Sequence, residues 1–327
     1  MNKVFLTGAT GFIGGNLVDH LLEEGYKVKV LIRDDRNLKP YKWKDSVEII
    51  YGDITDENSF KDNISDCNIV IHSAALIAWW NKDWDKIYRV NVLGTRNIAT
   101  AAMNNKIEKL VHISSVAAVG YGEKGESINE EHPYNWGKHK IVYMETKHEA
   151  ENEIYKAIKQ GLNATIVNPA NVWGKGDYRG RRTKLIKALN LGFPFYTYGG
   201  TNFVDVDAVC KATINAIKHG KCGERYILGG DNLSTKDFLG IIATEINARK
   251  PFIQLPLFCI KLSAYAQELI APIFRYTPKP TTSQIGLFNK YVYYDSSKAQ
   301  KELKMPVISF KECIQKTIRF YKENNLI

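Results

Sequence analysis

Tyr143 and Lys147 stand four residues apart in YMETK. On a helix that spacing puts a phenol and an ammonium on one face. A free phenol gives up its proton near pH ~10, and a neighbouring cation favours the phenolate. A tyrosine so placed can hand a proton to a carbonyl oxygen as hydride reaches the carbon, or run the same step backwards. The pair alone is a weak signal, because an aromatic and a solvated lysine share many surface helices. It gains weight from Ser114 and Ser115, which end an apolar run in LVHISSVAAVG one crossover earlier. A hydroxyl at a strand end can bond the substrate oxygen and steady the charge that develops there. Asn91, in YRVNVLGTRN, falls in the helical stretch before that run, where a polar side chain is usually solvated or packed on the helix.

A second constellation opens the chain. Gly8, Gly11 and Gly14 occur in TGATGFIG, between an apolar run and a helical pattern. Gly8 permits a tight turn, Gly11 lets a pyrophosphate approach the backbone, and Gly14 lets the helix pack closely on the sheet. The free N–H groups of the helix N-terminus then face the phosphates. An acidic residue after the second strand normally holds the ribose hydroxyls of NAD, whereas an arginine suits the additional phosphate of NADP. Arg33 follows KVKVLI, with Arg36 and Lys39 close behind, and this cationic cluster favours NADP(H). Asp34 and Asp35 keep NAD(H) open as the alternative. In YGDI, Asp53 is placed to accept from an adenine amino group and Ile54 to pack on the ring; the competing reading is a helix cap.

These residues need a frame. Apolar runs at 2–7, 27–32, 47–51, 68–73, 109–114 and 163–168 alternate with helical patterns at 12–24, 84–105 and 138–160. Such alternation predicts a doubly wound parallel sheet of the NAD(P)-binding Rossmann type, with ligands at the carboxyl ends of its strands. From about 171 the pattern loosens into helical stretches near 181–191, 205–219, 235–247, 255–275 and 309–324, with a strand near 225–228. Trp79, Trp80 and Trp84 are positioned to wall an apolar pocket beside the cofactor or to pack between lobes. Lys175, Arg179, Arg181, Arg182 and Lys184 form a basic cluster, read either as a phosphate site or as a solvated loop.

Composition narrows the class. Hydrophobic residues make up 44% of 327, enough for a packed core, so disorder is not expected. Five cysteines without a CxxC pair argue against a disulfide framework, and histidines without HExxH spacing give a metal site no support. The net charge of +10 comes from lysines spread along the chain, so nucleic-acid binding is not expected. The first residues do not read as a signal peptide. In 251–274, the most apolar later segment, Lys261 and Glu268 interrupt the run, and no transmembrane helix is expected. A cytoplasmic protein is the expectation that results.

Taken in order, TGATGFIG, GDI, HSAA, NVLGTRN, ISSVAAVG, YMETK and NPANVWG resemble the extended short-chain dehydrogenase/reductase superfamily, of the NAD-dependent epimerase/dehydratase type, over nearly the whole chain. The likeness is greatest to dihydroflavonol-4-reductase-like proteins, including bacterial hopanoid-associated sugar epimerases. It is strengthened by TNFVDVDAV, GERYILGGDNLS and DSSKAQKEL.

The resemblance implies a catalytic set of Ser115, Tyr143, Lys147 and Asn91. Tyr143 would be the general acid/base, and Lys147 would hold the nicotinamide ribose and tune it. Asn91 would help hold a relay water behind Lys147. Gly8, Thr10, Gly11, Phe12, Ile13 and Gly14 would wrap the pyrophosphate. Ala74 and Ala75 would line the adenosine side, and Pro169 and Val172 would flank the nicotinamide. Residues 1–170 would form the dinucleotide-binding domain and 171–327 mainly a smaller substrate lobe, intermixed with late elements of the sheet. Homodimers are common in the superfamily.

Two departures limit the chemistry. Val116 and Ala117 stand where sugar-nucleotide dehydratases of the superfamily carry an Asp-Glu pair, so water elimination is rejected. Gly120 stands where plant flavonoid reductases carry a polar substrate contact, which counts against a flavonoid. The leading expectation is an NADPH-dependent reductase acting on a small-molecule ketone or aldehyde, or on the corresponding alcohol in reverse. A sugar-nucleotide epimerase with bound NAD and a non-catalytic NADP(H) sensor are the alternatives.

Overall fold

The computed structural model describes residues 2–123, 125–274 and 276–327. In the first half, β1 (Lys3–Thr7), α1 (Phe12–Glu23), β2 (Lys27–Ile32), β3 (Glu48–Tyr51) and β4 (Ile69–His72) follow the predicted rhythm. Next come α2 (Trp84–Tyr88), α3 (Gly94–Asn104) and β5 (Lys109–Ile113). The short strand β6 (Ser127–Ile128) precedes α4 (Val142–Lys159) and β7 (Ala164–Pro169). The expected helix over 84–105 is not uniform, because Arg89–Leu93 forms a π-helical turn between α2 and α3. Asn91 lies in that turn. Gly25 closes α1 at φ +80°.

The second half contains β8 (Asn171–Trp173), α5 (Thr183–Asn190), β9 (Phe195–Tyr196), β10 (Gly200–Asp205), α6 (Val206–His219) and β11 (Arg225–Leu228). It continues with β12 (Asp231–Ser234), α7 (Thr235–Glu245), β13 (Ile253–Gln254) and α8 (Leu257–Phe274). It ends with β14 (Tyr291–Tyr294), α9 (Ser297–Glu302) and α10 (Phe310–Glu323).

Seven parallel strands form the main sheet in the order β11-β7-β5-β4-β1-β2-β3. The order reverses between β1 and β4, and ligands bind at such a switch point. Both faces are buried. Val4 and Leu6 point into one apolar core with residues of α1 and α6, and Phe5 into another with residues of α3 and α4. β11 comes from the second half of the chain, yet it completes this sheet against β7.

A smaller sheet, β12-β10-β14-β6 with β8 beside β10, carries the second lobe. The one strand expected from sequence in this half of the chain, near 225–228, is β11 of the main sheet. Those of the smaller sheet have two to six residues and their burial does not alternate cleanly, so a period-2 pattern never develops. Here β6, from the first half, pairs with β14 from the second. α8 is long and apolar enough, by length and composition, to cross a membrane. Yet Ile260, Ala264 and Ala271 seat it on the protein, and Glu268 accepts hydrogen bonds from Thr282.

Candidate active site

The glycine loop turns directly out of β1 at the switch point. Gly8 has φ +77°, and a Cβ there would lie 2.7 Å from the main chain of Ser73 and Ala74 after β4. A Cβ on Gly14 would come within 2.1 Å of the Gly8 carbonyl. Both positions therefore require glycine. Gly11 differs: its missing Cβ would meet only the Gly8 oxygen, at 3.0 Å, and otherwise faces open space. Gly11 also precedes α1, whose start has no side-chain cap and no acidic residue in its first turn. This cradle fits a dinucleotide pyrophosphate, with the first N–H groups of α1, at Phe12 and Ile13, as donors. Thr10 sits at its rim, where its carbonyl accepts from Arg179 at 3.4 Å.

Beyond β2, the two carboxylates that competed with Arg33 are already engaged. Asp34 accepts from the main-chain N–H of Arg36 at 3.0 Å and from its guanidinium at 2.5 Å, and this pairing holds the carboxyl down to about 2. Asp35 accepts from the Tyr51 hydroxyl at 2.6 Å. Arg33 is exposed and has no ion pair among the described residues. Asp53 accepts from both the N–H and the hydroxyl of Thr55 at 2.9 Å through one oxygen, a local cap. Ile54 is buried in the core against Gly94, not standing free on a surface. Ala74 donates its N–H to the Thr7 hydroxyl at 3.2 Å, and Ala75 follows it in the run after β4.

Tyr143 and Ser115 come together. Ser115 follows the end of β5, its hydroxyl accepts from the Ala117 N–H at 3.2 Å, and it lies near enough to Tyr143 to act on the phenol's pKa, while Ser114 is buried and its hydroxyl has no partner among the described residues. The Trp79 ring packs against Tyr143 with centroids 5.3 Å apart. Burial raises the phenol's pKa, and the Ser115 hydrogen bond and the charge of Arg181 only partly offset that rise. The expected downward pull of Lys147 is not what governs this phenol. Lys147 donates to the Ile113 carbonyl at 3.0 Å, and burial lowers its own pKa to about 8 against the opposing charge of Glu151.

Asn91 is fully committed. Its amide oxygen accepts from Leu76 N–H at 2.8 Å, and its amide nitrogen donates to the Leu76 carbonyl at 3.0 Å and to the Thr146 hydroxyl at 3.2 Å. It clips the run after Ala75 to the middle of the Tyr143–Lys147 turn. Pro169 ends β7, buried, and Val172 is buried in β8, where its carbonyl accepts from Arg182. Arg182 also covers the rings of Phe12 and Trp173, so part of the basic cluster folds onto the loop instead of lying in solvent.

Sequence spacing gave no sign of two buried supports. Asn168 donates to the Ser115 carbonyl at 3.0 Å and to the Glu151 carboxylate at 2.5 Å. Under the sheet ends, His72 bonds Thr7 at 2.7 Å and Thr95 at 3.0 Å, and burial lowers the imidazole to about 3, which keeps it neutral. Glu151 lies one helical turn beyond Lys147, so helix spacing was the one available clue.

The sequence pattern of the NAD dependent epimerase/dehydratase family matches residues 4–229. A putative dihydroflavonol 4-reductase from Synechocystis sp. is 33% identical, covering 99% of this chain and 95% of that protein. Sterol demethylase protein B from Methylococcus capsulatus is 29% identical over 98% of this chain and 99% of its own length. The crystal structure of gox2253 superposes with a TM-score of 0.85 at 28% identity, covering 100% of both chains.

Proposed function

The chain belongs to the NAD dependent epimerase/dehydratase family of enzymes, and from that premise we propose that it is an NADPH-dependent reductase of a ketone or aldehyde with Tyr143 as proton donor. The observation that carries this reading is the phenol at the Ser115 hydroxyl, its pKa raised by burial. Such a phenol is protonated at neutral pH, the form a reduction consumes. The reductase name of the Synechocystis relative supports the same direction.

The residues that would hold the cofactor are the glycine cradle, Arg33, Ala74, Ala75, Lys147, Pro169 and Val172, with Asp53 and Ile54 near the adenine. When bound, its nicotinamide supplies hydride to the substrate carbon. Ser115 donates a hydrogen bond to the substrate oxygen, and Tyr143 transfers its phenolic proton to that oxygen as charge develops. Lys147, held at the Ile113 carbonyl, would bind the nicotinamide ribose with its ammonium. Trp79 packs against the Tyr143 ring. Arg33 supports the choice of NADP(H), because the neighbouring carboxylates already have partners.

Purified protein with NADPH, screened against ketones, aldehydes and acyl-CoA thioesters, is expected to consume NADPH with at least one of them. Tyr143→Phe is expected to cut that turnover by about 10²–10⁴-fold, the usual contribution of a positioned acid, with NADPH affinity retained. Retained turnover in this variant removes Tyr143 from its role. Interconversion of UDP-sugars without net redox change would replace the reductase reading with an epimerase.

A further inference from the structure

α8 lies against the second lobe with one side left bare. Phe258, Leu262, Tyr265, Leu269 and Ile273 recur every three or four residues along it, so they form one stripe. All five are exposed, Leu262 at 68% and Leu269 at 78%. At 18 residues the helix is about 27 Å long, and an exposed apolar strip of that extent marks an interaction surface.

We propose that this face is an in-plane docking surface for an anionic phospholipid bilayer. Charge singles out the occupant. From 249 to 279 the sequence carries Arg249, Lys250, Lys261, Arg275 and Lys279 but only one acid, Glu268. Glu268 is turned back onto Thr282, accepting from its N–H at 2.7 Å and its hydroxyl at 2.9 Å. Lys261, on the helix itself, is exposed. An apolar stripe with cations before, within and after it in the sequence, its one acid already engaged, suits a negatively charged lipid surface.

The seam on the protein side decides between lying in the interface and crossing it. Ile260, Ala264 and Ala271 are buried there, and the Gln267 side chain accepts from the main-chain N–H of Lys279. A spanning helix would have to strip this seam and carry Lys261 and Glu268 into hydrocarbon. Lying flat, it keeps both. The docked helix is also wired to the reactive centre. Thr282 binds Glu268, while its neighbours Thr281 and Ser283 both donate to the Trp79 carbonyl, at 3.3 and 2.7 Å, and Trp79 covers Tyr143. Lipid contact and the proton donor thus share one roof.

Vesicle flotation of the full chain tests the docking without reference to catalysis. The protein is expected to float with phosphatidylcholine vesicles containing phosphatidylglycerol, at least tenfold more than with phosphatidylcholine alone, and high salt is expected to weaken it. The exposed double variant Leu262→Glu/Leu269→Glu is expected to lose flotation tenfold or more, with far-ultraviolet circular dichroism and NADPH binding unchanged. The proposal is overturned if the natural chain floats with neither vesicle or if the double variant floats as well as it does. It is also overturned if sedimentation shows a dimer that the double substitution splits while vesicles are ignored.

Discussion

The ammonium of Lys147 donates to the main-chain carbonyl of Ile113, 3.0 Å away at the end of β5. Lys147 is only 2% exposed, and burial depresses its pKa from 10.5 to about 8. The folded state therefore sheds this proton before the unfolded state does. Between about pH 8 and 10.5 the unfolded chain binds more protons, so the stability contributed by this group rises with pH. Below pH 8 the buried charge costs on the order of 3 kcal/mol, since each tenfold loss of proton affinity corresponds to ~1.4 kcal/mol. Lys147→Met, which keeps the length and drops the charge, is expected to raise the melting temperature at pH 7 while abolishing turnover. An unchanged or lower melting temperature would mean that the ammonium's hydrogen bond outweighs its desolvation.

Glu151 acts on the same lysine from one turn farther along α4. Its charge raises the Lys147 pKa, and its carboxylate holds Asn168, which in turn holds the Ser115 carbonyl. If reduction requires protonated Lys147, kcat/KM falls as pH rises through about 8. Glu151→Gln keeps an acceptor for Asn168 but removes the negative charge, so that limb is expected to move to lower pH. A pH profile of kcat/KM in the variant reads this directly. A lower plateau with an unmoved limb would make Glu151 a support for Ser115 alone.

How much of this arrangement sequence reasoning could reach depends on distance along the chain. The strand, glycine turn and helix at residues 3–23 are local, and each glycine's spacing stated its own geometric reason. The Tyr143 and Lys147 pair was legible because four residues is one helical turn. The direction in which the phenol's pKa moves was not, because burial under Trp79 and the claim of Ile113 on the ammonium are tertiary facts. The partners that engage Asp34 and Asp35 are Arg36 and Tyr51, the latter on a neighbouring strand, and no local pattern announces that second contact. Thr281 and Ser283 reach Trp79 across more than 200 residues, and no pattern in either segment announces the contact.

Asn91 carries a prediction about position instead of proton transfer. Its three amide hydrogen bonds tie Leu76 to Thr146 at a buried site. Asn91→Ala leaves the Leu76 N–H and carbonyl without partners, at about 1–3 kcal/mol for each group stranded from water. A loss of roughly 2–6 kcal/mol in urea unfolding is expected on that basis. NADPH affinity should weaken with it, because the run at Ala74 and Ala75 is no longer clipped to α4. A stable variant with normal affinity and slow turnover would return Asn91 to the proton relay that the family resemblance implied.

Arg33 carries the proposed choice of cofactor. Its guanidinium is exposed just beyond β2, and the two following carboxylates are held by Arg36 and Tyr51. A 2′-phosphate there would take charge-assisted hydrogen bonds from Arg33, worth about 1.5–3 kcal/mol. At ~1.4 kcal/mol per tenfold, Arg33→Ala should therefore weaken NADPH about 10–100-fold. NADH lacks that phosphate and should bind as before, so the ratio of the two dissociation constants is the informative quantity. Titration by cofactor fluorescence measures both in the same protein. If both cofactors weaken together, Arg33 serves the loop and not the phosphate. If NADH binds the natural chain tighter than NADPH, Asp34 or Asp35 must exchange its present partner for the ribose, and the preference proposed here is reversed.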